Sequence, residues 1–256
     1  REGLVMVVRL KTPPSKETLY HLAGKFGAEP DDAVELARTA KAKGCKVGFC
    51  FHVGSQCLDP GAYRTALEMV GDVIQRSGVE PEVVDVGGGF PTRYAETDPP
   101  PLDDYIDQIR AGLKAIRLPA DVDVWCEPGR ALVASACSLL AQVQLRKGER
   151  LYINDGIYGS LSETVQAGIH LPARLVRLQG VVANEVEGFV LNGPTCDSLD
   201  VLPGHYELPA DAREGDWVEI DQIGAYSNAV ATNFNGFHPE TFVSVGDEPP
   251  AVRPRL

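Results

Sequence analysis

The fold of the first half of this chain is constrained most strongly by apolar runs that alternate with helix-like segments. Short runs rich in Val, Leu and Phe occur at 4–10, 46–53, 83–86 and 123–126. The segments between them carry apolar residues at helical spacing and cover 30–43, 60–77 and 102–116. Apolar strands that are joined by helices indicate a parallel sheet covered on both faces. We therefore predict an α/β architecture for this half.

The pattern changes after about Val133. Short strand-like runs, separated by Gly, Pro, Asn and Asp, follow at 138–145, 151–153, 175–178, 189–191 and 217–220. Such spacing is typical of an antiparallel β domain. The sequence therefore predicts two domains, an α/β domain over 1–133 and an all-β domain over 134–256.

Charge and cysteine content narrow the classes of partner. The 256 residues carry a formal charge of -12, with 36 acidic residues against 24 Lys and Arg. Such a chain repels phosphate backbones, which argues against nucleic acid and suits a small cationic or zwitterionic substrate. The six cysteines form no CxxC pair or Cys/His ladder, so we expect no metal site, reduced thiols and a cytoplasmic chain. No apolar run is long enough to span a membrane.

Residues capable of chemistry lie where three of the predicted strands end. They are His52, the triple glycine Gly87–Gly89, and the run Glu127-Pro128-Gly129-Arg130. In barrels and open α/β sheets the ligand site lies at the carboxyl ends of the strands. We therefore expect these three groups to converge.

Each group has both a functional and a structural interpretation. The triple glycine admits an anion close to backbone N–H groups, or it forms a tight turn. A carboxylate at Glu127 suits a heterocycle nitrogen and Arg130 suits a phosphate, although the two also fit a surface ion pair. The flat ring of His52 suits stacking on an aromatic cofactor, or a structural hydrogen bond.

Two motifs stand out in the second half. Cys196 precedes Asp197 within a turn-like segment at 193–198, so its thiol is an acid or nucleophile if exposed and a structural turn residue if buried. The run Asn154-Asp155-Gly156 has the composition of a tight hairpin turn.

The order and spacing of these motifs resemble the ornithine, diaminopimelate and arginine decarboxylases, which use pyridoxal 5'-phosphate (PLP). The matching runs are His-Val-Gly-Ser at 52–55, Asp-Val-Gly-Gly-Gly-Phe-Pro from Asp85, Glu-Pro-Gly-Arg from Glu127, Asn-Asp-Gly at 154–156, Gly-Pro-Thr-Cys-Asp-Ser from Gly193, and Gly-Ala-Tyr from Gly224. The resemblance implies part of a PLP-binding (β/α)8 barrel over 1–133, followed by a C-terminal antiparallel β domain over 134–256.

The resemblance also implies roles for individual residues. Catalytic roles fall to His52, which stacks on the PLP ring, Glu127, which binds the pyridine nitrogen, and Cys196, which protonates the substrate Cα. Asp197 receives the distal amine of the substrate. The residues that hold PLP are Arg9, Ser55, Gly87, Gly88, Gly89, Glu127, Pro128, Gly129, Arg130 and Tyr226. In this family Cys196 and Asp197 act in the partner subunit's site, which implies a homodimer.

The resemblance also bears on whether the chain is complete and on which amino acid is its substrate. The family attaches PLP to a lysine in a barrel strand that precedes Arg1, so we expect a chain that begins mid-protein and is inactive alone. Asp197 and the run 234–237 favour decarboxylation of ornithine to putrescine. Animal members of the family have a substrate-binding aspartate at the position of Ala167, and Glu163 is a candidate to replace its carboxylate. Lysine and diaminopimelate therefore remain alternative substrates. A decarboxylase-like binding or regulatory protein and a phosphate-binding barrel without PLP are the alternatives of other classes.

Overall fold

A computed structural model of the chain describes residues 3–13, 18–20, 22 and 24–246. The chain folds into two compact units that divide after Ala136. The boundary that the sequence indicates at 133 falls at the end of the helix Arg130–Val133. The first unit also includes the short 3-10 turn Ala134–Ala136 that follows this helix.

The first unit contains a four-stranded parallel sheet with the order β1-β2-β3-β4. The strands are β1 (Val5–Arg9), β2 (Lys46–Cys50), β3 (Val83–Asp85) and β4 (Asp123–Trp125). The helices are α1 (Pro30–Ala42), α2 (Gly61–Ser77), α3 (Leu102–Ile116) and α4 (Arg130–Val133). The prediction of a parallel α/β sheet is confirmed.

Helix α2 shows how local sequence sets these boundaries. The Asp59 carboxylate accepts a hydrogen bond from the Gly61 N–H at 2.8 Å, at the start of the helix. The helix begins at Gly61, one residue after the predicted Pro60. At the other end Gly78 adopts a left-handed conformation, with φ of 66°, and its N–H donates to the Ile74 carbonyl. Glycine takes this conformation without a Cβ penalty, and the predicted end of the helix is therefore correct.

The core of the first unit joins the helices to the loops at the strand ends. Tyr63 and Tyr105, both fully buried, project from α2 and α3 and contact each other edge to face, with ring centroids 5.9 Å apart. Their hydroxyls donate to the carbonyls of Gly88 at 2.9 Å and Cys57 at 2.8 Å. Core packing therefore fixes the same loops that carry the candidate site residues.

The two outer strands of this sheet expose apolar side chains. Met6 and Val7 of β1 are 45% and 41% exposed, and Val124 and Trp125 of β4 are 47% and 51% exposed. Apolar edge strands are usually paired or covered, as they are when a barrel closes. The exposed edges are therefore what part of a barrel would present.

The second unit contains a six-stranded sheet with the order β7-β10-β5-β6-β8-β9. Its elements are β5 (Leu139–Lys147), β6 (Arg150–Ile153), α5 (Ser162–Gln166), β7 (Ala173–Val176), β8 (Val186–Asn192), β9 (Tyr206–Pro209) and β10 (Trp217–Ile220). Every neighbouring pair is antiparallel except β6 and β8, which run parallel. The predicted fold class is confirmed. The parallel pair β6–β8 is a feature that the sequence did not predict.

The predicted hairpin turn at Asn154–Gly156 is wrong. Strand β6 ends at Ile153, and the β5–β6 hairpin instead turns at Gly148, where Lys147 pairs with Arg150. Asp155 is buried, and its carboxylate accepts hydrogen bonds from the N–H groups of Gly156 at 2.7 Å and Ser160 at 2.9 Å. The Asp-Gly pair therefore anchors a loop and does not reverse the chain.

In the part of the chain that the structure describes, the helices are too short or too polar for any of them to cross a bilayer.

Candidate active site

Strand register brings the predicted residues of the first unit to one end of the sheet. Arg9 lies opposite Cys50, Cys50 lies opposite Asp85, and Asp85 lies opposite Trp125. His52, Gly87 and Glu127 each follow one of these positions by two residues. The Glu127 N–H donates to the Gly87 carbonyl at 2.8 Å, which ties two of the three loops together.

The triple glycine is required by contacts as well as by conformation. A Cβ at Gly87, where φ is 68°, would lie 2.0 Å from the Phe51 carbonyl oxygen. A Cβ at Gly88 would lie 2.6 Å from the Glu127 carbonyl oxygen, and one at Gly89, where φ is 100°, would lie 2.3 Å from that of Gly54. Side chains are therefore excluded at all three positions.

The hydrogen bonds of this loop leave donors for a ligand. The carbonyl of Gly87 accepts from Glu127 N–H, that of Gly88 from the Tyr63 hydroxyl, and that of Gly89 from Cys57 N–H. Among the described residues, none accepts a hydrogen bond from the N–H of Gly88 or Gly89. Backbone N–H groups in a concave glycine turn are suited to binding an anion.

Arg130 is placed beside this loop with Ser55. Its guanidinium is buried, with the residue 4% exposed, and it donates to the Tyr94 hydroxyl at 2.7 Å and to Ser55 Oγ at 3.5 Å. A phosphate would complement this buried positive charge, since Arg binds phosphate oxygens through paired donors. Pro128 and Gly129 lead from β4 into helix α4, which begins with Arg130.

Tyr94 is a site residue that the sequence analysis missed. It is 4% exposed and lies in the irregular segment after the glycine loop, in no recognisable motif. Besides the hydrogen bond, its ring lies 5.8 Å from the Arg130 guanidinium carbon. Only the tertiary fold reveals this contact.

His52 is held as a neutral ring. It is half-buried, and its Nδ1 accepts a hydrogen bond from the Gly54 N–H at 3.0 Å, which leaves Nε2 as the protonated nitrogen. Burial, and secondly the positive charge of Arg9, lower the pKa of His52 to about 4. A neutral imidazole can stack on an aromatic ring. At neutral pH His52 lacks the second ring proton that would make it a strong acid.

This lowered pKa predicts a pH dependence of stability. The unfolded chain protonates this histidine near pH 6.5, whereas the folded chain does so only near pH 4. The unfolded state therefore binds more protons between these values, so the contribution of His52 to stability falls as the pH drops from 6.5 to 4. We expect the urea midpoint to fall more between pH 7 and pH 5 in the natural chain than in His52→Asn, whose amide oxygen can still accept from Gly54. An equal fall in both chains would contradict the assignment.

Charged groups surround the strand ends near His52. Asp85 is buried, and its Oδ1 accepts from the Gly87 N–H at 2.8 Å. The guanidinium carbon of Arg9 lies 5.1 Å from the centre of the Phe26 ring. Burial, and secondly Asp85, raise the pKa of Cys50 to about 11, so this thiol stays protonated. Glu127 is exposed at the end of β4.

The second unit holds the Cys196–Asp197 pair. Cys196 is exposed, which excludes the interpretation as a buried turn thiol, and its N–H donates to Asn235 Oδ1 at 3.1 Å. The Asp197 carboxylate accepts from the Tyr158 hydroxyl and from the Leu199 N–H, and these bonds, the first above all, lower the pKa of Asp197. Asp197 is therefore an ionised carboxylate at neutral pH.

A cleft of about 660 Å³ lies beside this pair. Its lining includes Asp197, Asp200, Arg150, Asn192 and Phe237. The buried Asp200 shapes the 193–198 turn, because its carboxylate accepts from Thr195 N–H at 3.0 Å and from Ile157 N–H at 3.0 Å.

Three other residues that the sequence analysis considered lie elsewhere in the second unit. Tyr226 is 49% exposed and has a positive φ of 55°. Glu163 lies half-buried in helix α5, and Ala167 follows that helix.

Residues 3–134 match the family described as "Pyridoxal-dependent decarboxylase, pyridoxal binding domain". The chain is 34% identical to ornithine decarboxylase of Schizosaccharomyces pombe, an alignment that covers 93% of this chain and 57% of the relative. It is 33% identical to antizyme inhibitor 2 of Xenopus laevis, with 91% and 54% covered. The solved lysine/ornithine decarboxylase of Vibrio vulnificus complexed with cadaverine matches with a TM-score of 0.77 and 34% identity, covering 93% of this chain and 63% of that structure.

The residues of the first unit fit the cofactor of this family. Gly88 and Gly89 offer backbone N–H donors, and Arg130 and Ser55 add side-chain donors beside them. The chain spans little more than half the length of the curated relatives above. On the family match and these identities, the chain belongs to the pyridoxal-dependent decarboxylases.

Proposed function

We propose that this chain is part of a PLP-dependent amino-acid decarboxylase that converts ornithine to putrescine in polyamine biosynthesis. The observation that carries the proposal is the convergence of Ser55, the Gly87–Gly89 loop and Arg130 at one end of the parallel sheet. Such a cluster suits a phosphate, and His52 and Glu127 on the neighbouring strand ends suit the ring that would be attached to it.

Each residue then has a defined task. Ser55 Oγ, the N–H groups of Gly88 and Gly89, and the Arg130 guanidinium would hold the phosphate. The neutral ring of His52 would pack against the pyridine ring, with Arg9 nearby, and the Glu127 carboxylate would keep the pyridine nitrogen protonated. When bound, PLP withdraws electrons from the substrate Cα and so stabilises the negative charge that CO₂ loss leaves there.

The second unit would supply the remaining groups. The thiol of Cys196 would donate a proton to the substrate Cα, and the ionised carboxylate of Asp197 would bind the distal amine. Tyr226 would add a donor to the phosphate. We propose that Cys196 and Asp197 serve the partner subunit's site in a homodimer.

We propose ornithine as the substrate because of the charge on Asp197. The anionic Asp197 suits the distal ammonium group of ornithine, and the same charge suits lysine, while Ala167 offers no second carboxylate. The Vibrio vulnificus relative is named for both amino acids. Competition between ornithine, lysine and diaminopimelate in the complete protein tests this choice. Turnover of diaminopimelate in preference to ornithine would reject it.

A non-catalytic regulatory protein is the second candidate, and one observation favours it. Antizyme inhibitor 2 of Xenopus laevis is among the relatives at 33% identity, and its name denotes an inhibitor of another protein. A protein of that class has no chemical need for an exposed thiol beside an ionised carboxylate, so we favour the enzyme.

Replacing Cys196 with alanine tests whether its thiol is the proton donor. In the complete protein loaded with PLP, we expect product formation to slow by roughly 10²-fold or more, because a positioned proton donor is lost. Cys137→Ala, which removes another thiol of the second unit, should leave the rate unchanged. Equal rates in the natural protein and Cys196→Ala would refute the role of Cys196 as the acid.

A further inference from the structure

Gln56 combines backbone strain with burial. Its φ is 55°, in the left-handed region that favours glycine, and the residue is only 2% exposed. A buried non-glycine residue persists in this region only where its surroundings hold it there, and such residues cluster at functional sites. Glycine would adopt this backbone without strain, so the side chain is the feature to explain.

The Gln56 side chain bonds both polar backbone groups of one distant residue. Its Oε1 accepts from the Thr92 N–H at 3.0 Å, and its Nε2 donates to the Thr92 carbonyl. All four groups are therefore satisfied by a pairing that resembles one step of a sheet, across 36 positions of sequence.

The two segments that this pairing joins are the two halves of the proposed phosphate site. Gln56 directly follows Ser55, and Thr92 lies between the glycine loop and Tyr94, which binds Arg130. The Cys57 N–H also donates to the Gly89 carbonyl at 2.9 Å, so a second bond lies beside the first. The backbone of Ser55 is fixed on its other side, where its N–H donates to the Tyr20 carbonyl at 3.2 Å.

We propose that Gln56 is a positioning residue that fixes Ser55 relative to Gly89, and thereby sets the preference of this site for a phosphorylated ligand. Gln56 acts through these two residues and does not itself touch the ligand. The inference rests on the proposed function, since PLP is the ligand whose phosphate would occupy the site. It assigns to Gln56 a role in selectivity that a purely structural residue would not have.

The test compares PLP with pyridoxal, which has the same ring and no phosphate. Equilibrium dialysis of the complete protein gives the ratio of the two affinities. In Gln56→Ala and Gln56→Gly we expect the ratio of PLP affinity to pyridoxal affinity to fall by about tenfold, which is the effect of misplacing one hydrogen bond to a charged group. Gln56→Gly removes the backbone strain, so it keeps the test valid if Gln56→Ala folds poorly.

Arg38→Ala is the matched control. Arg38 also makes two hydrogen bonds from its side chain to distant backbone, to the carbonyls of Arg76 and Ser77 at the end of α2, and it is remote from the site. Its affinity ratio should stay at the natural value even if its stability falls.

Three outcomes separate the inference from the proposed function. The role of Gln56 and the proposed function are both supported if the natural protein prefers PLP to pyridoxal and if the ratio of PLP affinity to pyridoxal affinity falls in both Gln56 variants but not in Arg38→Ala. A natural preference for PLP that both Gln56 variants retain, or equal losses of both ligands, overturns the role of Gln56 and leaves the proposed function standing. A natural chain with no preference for PLP over pyridoxal overturns the phosphate site and the inference together.

Discussion

Replacing Glu127 with alanine should lower the decarboxylation rate of the complete, PLP-loaded protein by roughly 10²- to 10³-fold, the loss typical of removing one group that stabilises developing charge. Without this carboxylate the pyridine nitrogen loses the partner that keeps it protonated, and the ring becomes a weaker acceptor of electrons from the substrate Cα. Glu127 lies at the carboxyl end of β4, and its N–H is bonded to the Gly87 carbonyl. The substitution keeps this backbone contact, so some PLP should remain bound.

Glu82→Ala is the control for this prediction. Glu82 immediately precedes β3 and makes an exposed ion pair with Lys46 at 2.8 Å, at the opposite end of the sheet. An exposed pair of this kind contributes little to stability, so the rate should not change. A Glu127→Ala protein that keeps the natural rate would show that this carboxylate does not tune the cofactor.

Replacing Gly87 with alanine should cost about 3–5 kcal/mol of the free energy of unfolding. The new Cβ would meet the Phe51 carbonyl oxygen at 2.0 Å, and the backbone would remain left-handed at φ of 68°. Because the contact is with backbone of the neighbouring strand end, no side-chain rotation relieves it. The loss in the free energy of unfolding is measured by chemical denaturation of the natural protein and the variant. A variant whose first unit does not fold at all would also agree with the prediction.

Gly148→Ala isolates the conformational part of this cost. Gly148 has a similar φ of 59° in the β5–β6 hairpin, and a Cβ there would meet nothing within 4 Å. We expect it to lose only about 1–2 kcal/mol, the cost of left-handed backbone for a residue with a side chain. Equal losses at Gly87 and Gly148 would mean that the loop at Gly87 moves freely away from Phe51.

Much of the secondary structure could be predicted because local signals set it. Helix α3 (Leu102–Ile116) and strand β10 (Trp217–Ile220) have the predicted bounds, since apolar periodicity and flanking Pro or Gly mark them. Strand β9 (Tyr206–Pro209) was missed, because four residues ending in proline carry little periodicity. The hairpin at Asn154–Gly156 was wrong because the composition of a turn does not show where the Asp155 carboxylate will bond.

The candidate site was less accessible to sequence reasoning than the fold. The glycines and charged residues at the strand ends form recognisable runs, and strand register explains why they meet. Gln56 and Tyr94 form no such run, because each acts through a partner 36 positions away. Contacts of this kind depend on how loops pack at the ends of β2 and β3, and a single sequence does not encode that spacing in any local pattern.

We propose that this chain belongs to a protein that carries PLP on a lysine and decarboxylates a diamino acid. The most direct test is to purify the natural protein with PLP, reduce it with borohydride to fix the link to lysine, and measure the intact mass and the modified peptide. We predict a protein longer than these 256 residues, with PLP attached to a lysine upstream of Arg1. A natural protein no longer than this chain, with no PLP attached after reduction, would contradict the account and favour the regulatory alternative.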